Sequence, residues 1–117
     1  MVVWWGTPVE AQSAFARLQR EDQITPSESG HARALLTALR GTWDEVQQSE
    51  QVRQLAEQLP QTYALRAADA LQLAAALVWC RERPRDRPFI CLDRRLGVAA
   101  QQVGFEVLGT LERPKTG

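Results

Sequence analysis

Residues 65–77, LRAADALQLAAAL, constrain the fold of this chain more than any other stretch. The run is apolar and rich in alanine, the best helix former, and it predicts a helix reaching roughly Trp79. One carboxylate, Asp69, sits near its start among Ala67, Ala68, Ala70 and Leu71, residues that favour burial. A charge in such a place costs on the order of several kcal/mol unless something pairs with it. A second case follows at residues 89–92, FICL, which read as a buried strand with Asp93 where that strand ends. Two acids at element ends facing a shared cleft suggest a cation between them.

The rest of the chain alternates strand and helix signals. Val2, Val3, Trp4 and Trp5 open as a strand. Thr7-Pro8-Val9-Glu10 has the form of a capping box with proline at the first helical position, and Val9, Ala11, Ala14, Phe15 and Leu18 recur at helical spacing to about Arg20. Thr25-Pro26-Ser27-Glu28 is a second such box, with Ala32, Leu35, Leu36 and Leu39 marking a buried face and Gly41 ending the helix. Residues 42–46 are extended or turning, with Trp43 an anchor into the core. Ser49 caps a third helix carrying Val52, Leu55, Ala56 and Leu59, which Pro60 follows. An arginine-rich connection, 81–87, precedes the strand at 89–92. A short helix through 98–103 ends at Gly104, and 105–108 form the last strand. Strands separated by helices imply an α/β fold with a parallel sheet covered on both faces.

With 117 residues, 44% of them hydrophobic, the expectation is one small domain over residues 1–108 and a frayed tail, 109–117. The formal net charge is zero, so no global field draws the chain to nucleic acid or membrane, and any affinity for polyanions must come from a local patch. No charged-then-apolar leader and no long apolar run is present, which points to the cytoplasm and away from membranes. Cys80 and Cys91 match no metal or redox spacing and read as reduced, packed thiols. His31, the one histidine, reads as a surface residue.

In an open parallel sheet, ligands bind beyond the carboxyl ends of the strands. Asp93 follows a strand and Glu10 lies in the first helical turn after another, so parallel strands deliver both to one sheet edge. Asp69 joins them if its helix starts on that side. Three hard oxygen donors without His or Cys suit Mg²⁺ or Mn²⁺ rather than zinc, and the chemistry implied is phosphodiester hydrolysis. Each acid also has an ordinary explanation. Glu10 completes the Thr7 box, Asp69 favours the helix dipole, and Asp93 caps the helix that follows it. Glu21, Asp22, Glu28, Asp44, Glu45, Glu50 and Glu57 read as solvated charges. Arg94 and Arg95 lie beside the proposed site. For Arg94 an RNA-phosphate contact and a salt bridge to a site carboxylate both stand, while 81–87 read as a solvated loop.

LRAADALQLAAAL followed by FICLDRRLGVAAQQVGFEVL resembles the C-terminal half of a PIN domain, in particular the VapC-type toxins of bacterial toxin–antitoxin pairs. The opening VVWWGTPVEAQSAFARLQRED resembles that family's second strand and following helix. The resemblance reaches about Leu108. It implies a three-layer α/β/α sandwich around a parallel sheet, a Mg²⁺-dependent endoribonuclease, a cognate antitoxin that fills the active-site groove, and a homodimer. It assigns Glu10, Asp69 and Asp93 as the acidic metal-site residues, with Asp69 and Asp93 as main ligands and Glu10 positioning water or completing the shell. Thr7 assists at the strand end.

The family's first strand, which ends in an Asp, has no counterpart here, so one of four family acids is missing. An upstream start, a decayed remnant and a deliberate short form all fit that departure. A second functional class stays open beside the enzyme: a truncated, non-catalytic PIN-like module that binds an antitoxin or associates with itself. A phosphatase or DNA nuclease using similar acids is a third.

Overall fold

The protein is described by a computed structural model over residues 1–91 and 93–109. Its internal contacts divide it into two compact units, Met1–Gln47 and Gln48–Gly117. The first unit runs β1 (Val2–Trp4), α1 (Thr7–Arg20), α2 (Pro26–Arg40) and β2 (Asp44–Val46). β1 and β2 pair in parallel, Val2 opposite Asp44 and Trp4 opposite Val46. The two helices between them supply the long crossover that parallel pairing requires.

Local chemistry sets the start of α2 as expected. The Thr25 hydroxyl accepts from the Glu28 N–H at 3.0 Å, and the Glu28 carboxylate accepts from the Thr25 N–H at 2.8 Å. The box expected at Thr7 and Glu10 does not form. Gly6 is the N-cap of α1, already in a helical conformation, and no side chain caps the helix. Thr7 is therefore inside the helix, and the Glu10 N–H donates to the Gly6 carbonyl at 3.1 Å. The reason lies one residue upstream: a Cβ on Gly6 would come within 2.6 Å of the Trp4 indole nitrogen, so only glycine allows the chain to turn this closely against the buried Trp4.

Two further expectations in this unit need correction. Leu35 and Leu39 are 54% and 47% exposed, because the buried stripe of α2 runs through Ser29 and Leu36 instead. Trp43 is half-buried rather than a core anchor. Its indole N–H donates to Glu45 at 3.1 Å, which gives that half-buried carboxylate a partner and takes it out of the solvated set.

The second unit contains α3 (Glu50–Thr62), α4 (Ala67–Trp79), β3 (Pro88–Ile90), α5 (Arg94–Val103) and β4 (Glu106–Leu108). Ser49 caps α3, accepting from the Val52 N–H at 3.1 Å. Pro60 lies inside α3 instead of after it. The missing N–H is tolerated in the last turn, which closes past the ring through Tyr63 N–H on the Leu59 carbonyl at 2.9 Å. α3 packs on α4. Val52, Ala56 and Leu59 are the buried stripe of one, and Ala70, Leu73, Ala74, Ala75 and Leu77 that of the other. The alanines on α4 let the partner helix approach closely, and Leu73 fills the space with no exposure at all.

β3, α5 and β4 form a β–α–β unit with parallel strands, Pro88 opposite Glu106 and Ile90 opposite Leu108. Phe89 and Phe105 are buried with ring centroids 5.3 Å apart. Gly104 ends α5 in the left-handed region, φ +118°, as expected for a helix-terminating glycine. The strand expected at 89–92 occupies 88–90, and Leu92 lies outside the described residues, as does the tail beyond Gly109. Nor is that strand buried on both faces: Phe89 points inward and Ile90 is 70% exposed, the alternation of a half-covered sheet. Among the described residues each unit holds a two-stranded parallel sheet. The architecture is mixed α/β, five helices with short parallel strands. No described helix is long and apolar enough to cross a membrane.

The C-terminus of α4 is closed without glycine. Glu82 N–H donates to the Leu77 carbonyl at 2.7 Å and Arg81 N–H to the Val78 carbonyl at 3.0 Å, the paired bonds of a Schellman motif. Arg81 and Glu82 both take positive φ, 55° and 57°, where an L side chain costs about 1–2 kcal/mol. Arg81→Gly is expected to stabilise the fold by about 1 kcal/mol, read as a higher midpoint in urea denaturation. An unchanged or lower midpoint would mean that the turn is not strained.

Candidate functional site

Asp69 and Asp93 are brought together in the second unit. Asp69 is the third residue of α4, and Asp93 is the N-cap of α5, in the turn that follows β3. They line a cleft of about 340 Å³ with Arg66, Ala68, Arg94 and Arg95. The helix-capping role of Asp93 is realised: its Oδ1 accepts from the Leu96 N–H at 3.0 Å. That bond engages one carboxylate oxygen and fixes the orientation of the group. The backbone amide of Arg66, the N-cap residue of α4, favours the ionised form of Asp69, so this carboxylate too has a local role at its helix start.

The two carboxylates nevertheless oppose each other. Burial, and then the neighbouring Asp93 charge, push the Asp69 carboxyl above its ordinary range, against the smaller pull of the Arg66 amide and the Arg66 and Arg95 guanidinium groups. Folding thus disfavours the ionised form. The native chain holds this proton to higher pH than the unfolded chain, so stability falls as pH rises between the two values, and the whole penalty is present at neutral pH. Asp69→Asn is expected to raise stability at pH 7 by on the order of 0.5 kcal/mol, the scale of a partly exposed like-charge pair. The gain should vanish once the wild-type carboxyl is protonated. Urea midpoints at both ends of the range measure it, and a pH-independent difference would remove the electrostatic cause.

Cys91 flanks the pair, its thiol 3.5 Å from the Asp93 carbonyl oxygen. Burial, then the Asp93 charge, push that thiol up. Cys80 is likewise a free, buried thiol. The donors in the cleft are hard oxygens.

Glu10 belongs to the first unit, half-buried in the first turns of α1. Among the described residues no group of three or more His, Cys, Asp and Glu side chains is placed to hold a metal ion. Arg94 lines the cleft as expected for a residue beside the site. Arg66 is a cleft residue that sequence reasoning misses. Its signal is positional: it stands three residues before Asp69, at the cap, where a residue's backbone and side chain both reach the first turn. His31 is exposed, as expected. No family model matches the chain, and no curated protein or solved structure matches it.

Proposed function

We propose that the chain is a metal-dependent endoribonuclease of the PIN-domain type, similar to the toxin member of a VapC-like toxin–antitoxin pair. The observation that carries this reading is the Asp69–Asp93 pair, two mutually repelling carboxylates at neighbouring element ends in a cleft rimmed by arginines. A divalent cation fits that donor set, because it relieves the repulsion, and Mg²⁺ commonly binds through one or two carboxylates while keeping several waters. Bound there, Mg²⁺ or Mn²⁺ supplies Lewis-acid stabilisation of a phosphoryl oxygen and makes water more acidic.

The protein's own part is positional. Asp93, anchored through Oδ1, keeps its second oxygen for a ligand, and the Arg66 amide favours the ionised form of Asp69. Arg66, Arg94 and Arg95 offer guanidinium forks to the phosphates on either side of the scissile bond. In this reading Glu10 keeps the acidic role that the family resemblance assigns to it, the fold is an α/β/α sandwich, and a cytoplasmic antitoxin segment is the partner that covers the groove. The test is cleavage of a single-stranded RNA by the purified chain with Mg²⁺ or Mn²⁺ against EDTA. Cleavage that persists in EDTA overturns the reading.

A non-catalytic module that pairs with a partner or a second copy is favoured by a different observation. Ile90 and Leu108, opposite each other in register, are 70% and 44% exposed. Parallel sheets are normally covered on both faces, and an uncovered pair invites association. Self-association in sedimentation experiments, with no heat of Mg²⁺ binding, would favour this reading over the enzyme.

A further inference from the structure

At the other end of α4, and before β3 instead of after it, residues 81–87 carry four arginines against Glu82 and Asp86. The remaining turns of α4, from Asp69 to Trp79, separate this loop from the carboxylate, roughly 15 Å at 1.5 Å per residue. The loop is built, not frayed. The Schellman bonds hold its start, Arg83 N–H donates to the Cys80 carbonyl at 3.0 Å, and Arg87 N–H donates to the Pro84 carbonyl at 2.9 Å. Its far end is tied to the sheet by Glu106 N–H on the Arg87 carbonyl at 2.9 Å. Arg81, Glu82 and Asp86 all take positive φ, three non-glycine residues in a conformation that glycine adopts without cost.

The side chains on this frame are exposed and available. Among the described residues none of Arg81, Arg83 and Arg85 makes an ion pair. Arg87 stacks over the ring of Trp79, its guanidinium carbon 5.2 Å from the centroid, and Trp79 itself is 46% exposed. Guanidinium groups fork onto phosphates, and an exposed indole or a stacked guanidinium offers a flat face to an unpaired base. We propose that Trp79 and residues 81–87 form a binding surface for single-stranded nucleic acid, distinct from the carboxylate cleft. The strain at Arg81 fits this role, since it keeps an arginine where a glycine would fold better. The surface does not depend on the cleft being catalytic.

The test is fluorescence anisotropy of a labelled 15-nucleotide single-stranded RNA with the full chain in EDTA, over a range of salt concentrations. EDTA removes metal-dependent cleavage, so failure of the ribonuclease reading leaves this measurement intact. The wild type is expected to bind with a negative salt slope. Replacing Arg81, Arg83 and Arg85 together by Gln should weaken binding roughly tenfold or more and make the log–log slope shallower by about 2, near 0.7 for each phosphate no longer neutralised. Trp79→Leu should weaken binding several-fold at an unchanged slope. Arg81→Gly should bind more weakly although it folds more stably, which separates the missing guanidinium from any damage to the fold.

Absence of salt-dependent binding by the wild type overturns the proposal, as does wild-type affinity in the triple variant. A loss confined to Arg94→Gln and Arg95→Gln places the affinity in the cleft and overturns it as well. Equal binding of duplex DNA or heparin, with Trp79→Leu silent, reduces the surface to a plain charge patch and removes the single-strand assignment.

Discussion

Asp93→Asn is expected to remove Mg²⁺-dependent RNA cleavage, by roughly 100-fold or more, while leaving the chain at least as stable as before, since the repulsion of Asp69 ends with the charge. The reason is that Asp93 performs two separable tasks. As N-cap of α5 it accepts a hydrogen bond from Leu96, and Asn caps a helix about as well as Asp. As a site carboxylate it supplies a negative oxygen, and a neutral amide cannot replace that charge. Removing one preorganised electrostatic partner of a reacting phosphate typically costs on the order of 10²–10³ in rate. Asp93→Ala should lose the activity and also about 1 kcal/mol of stability, since the cap goes with the charge. Asp69→Asn should lose activity and gain stability at neutral pH, because the repulsion from Asp93 ends. Opposite movements of rate and stability mark a group kept for function at a cost to the fold. Retention of metal-dependent cleavage by both Asn variants would sink the assignment.

Leu73→Ala is expected to destabilise the protein by about 3 kcal/mol, within the range for a fully buried leucine. Leu73 has no solvent exposure, and its neighbours Ala74 and Ala75 are equally closed in. Ala70 and Ala76, three residues to either side on the same helix face, have no side chain long enough to fill the vacated space, so the cavity should persist and its cost be felt in full. Leu71→Ala, at a half-buried position of the same helix, should cost about 1 kcal/mol for the smaller area returned to water. Urea denaturation of both variants gives the comparison. Equal and small losses would show that the α3–α4 interface can collapse around the gap.

How far the sequence can be read depends on the range of the forces involved. Thr25, Ser49 and Gly104 act on backbone groups within five residues, and each does in the structure what its chemistry implies. α4 is legible for a related reason: a run of alanine and leucine is both helix-favouring and apolar, so propensity and burial agree. Where such a signal meets a competing packing contact, near or far in the chain, the contact decides. The motif at Thr7 has the right residues for a capping box, but Gly6 turning against Trp4 starts the helix earlier. Leu35 and Leu39 have helical spacing, yet which stripe of α2 is buried depends on the elements packed against it.

The candidate site divides along the same line. The sequence by itself determined that Asp69 opens a buried helix and that Asp93 stands between a strand and the next helix, because propensity and capping are properties of neighbours in the chain. The tertiary structure alone decided that the two carboxylates share one cleft with Arg66, Arg94 and Arg95. It also decided that the strands pair two by two and that Ile90 faces out. Strand pairing and the meeting of charges distant in sequence are set by which surfaces lose water together, and no residue carries that information in its immediate neighbours.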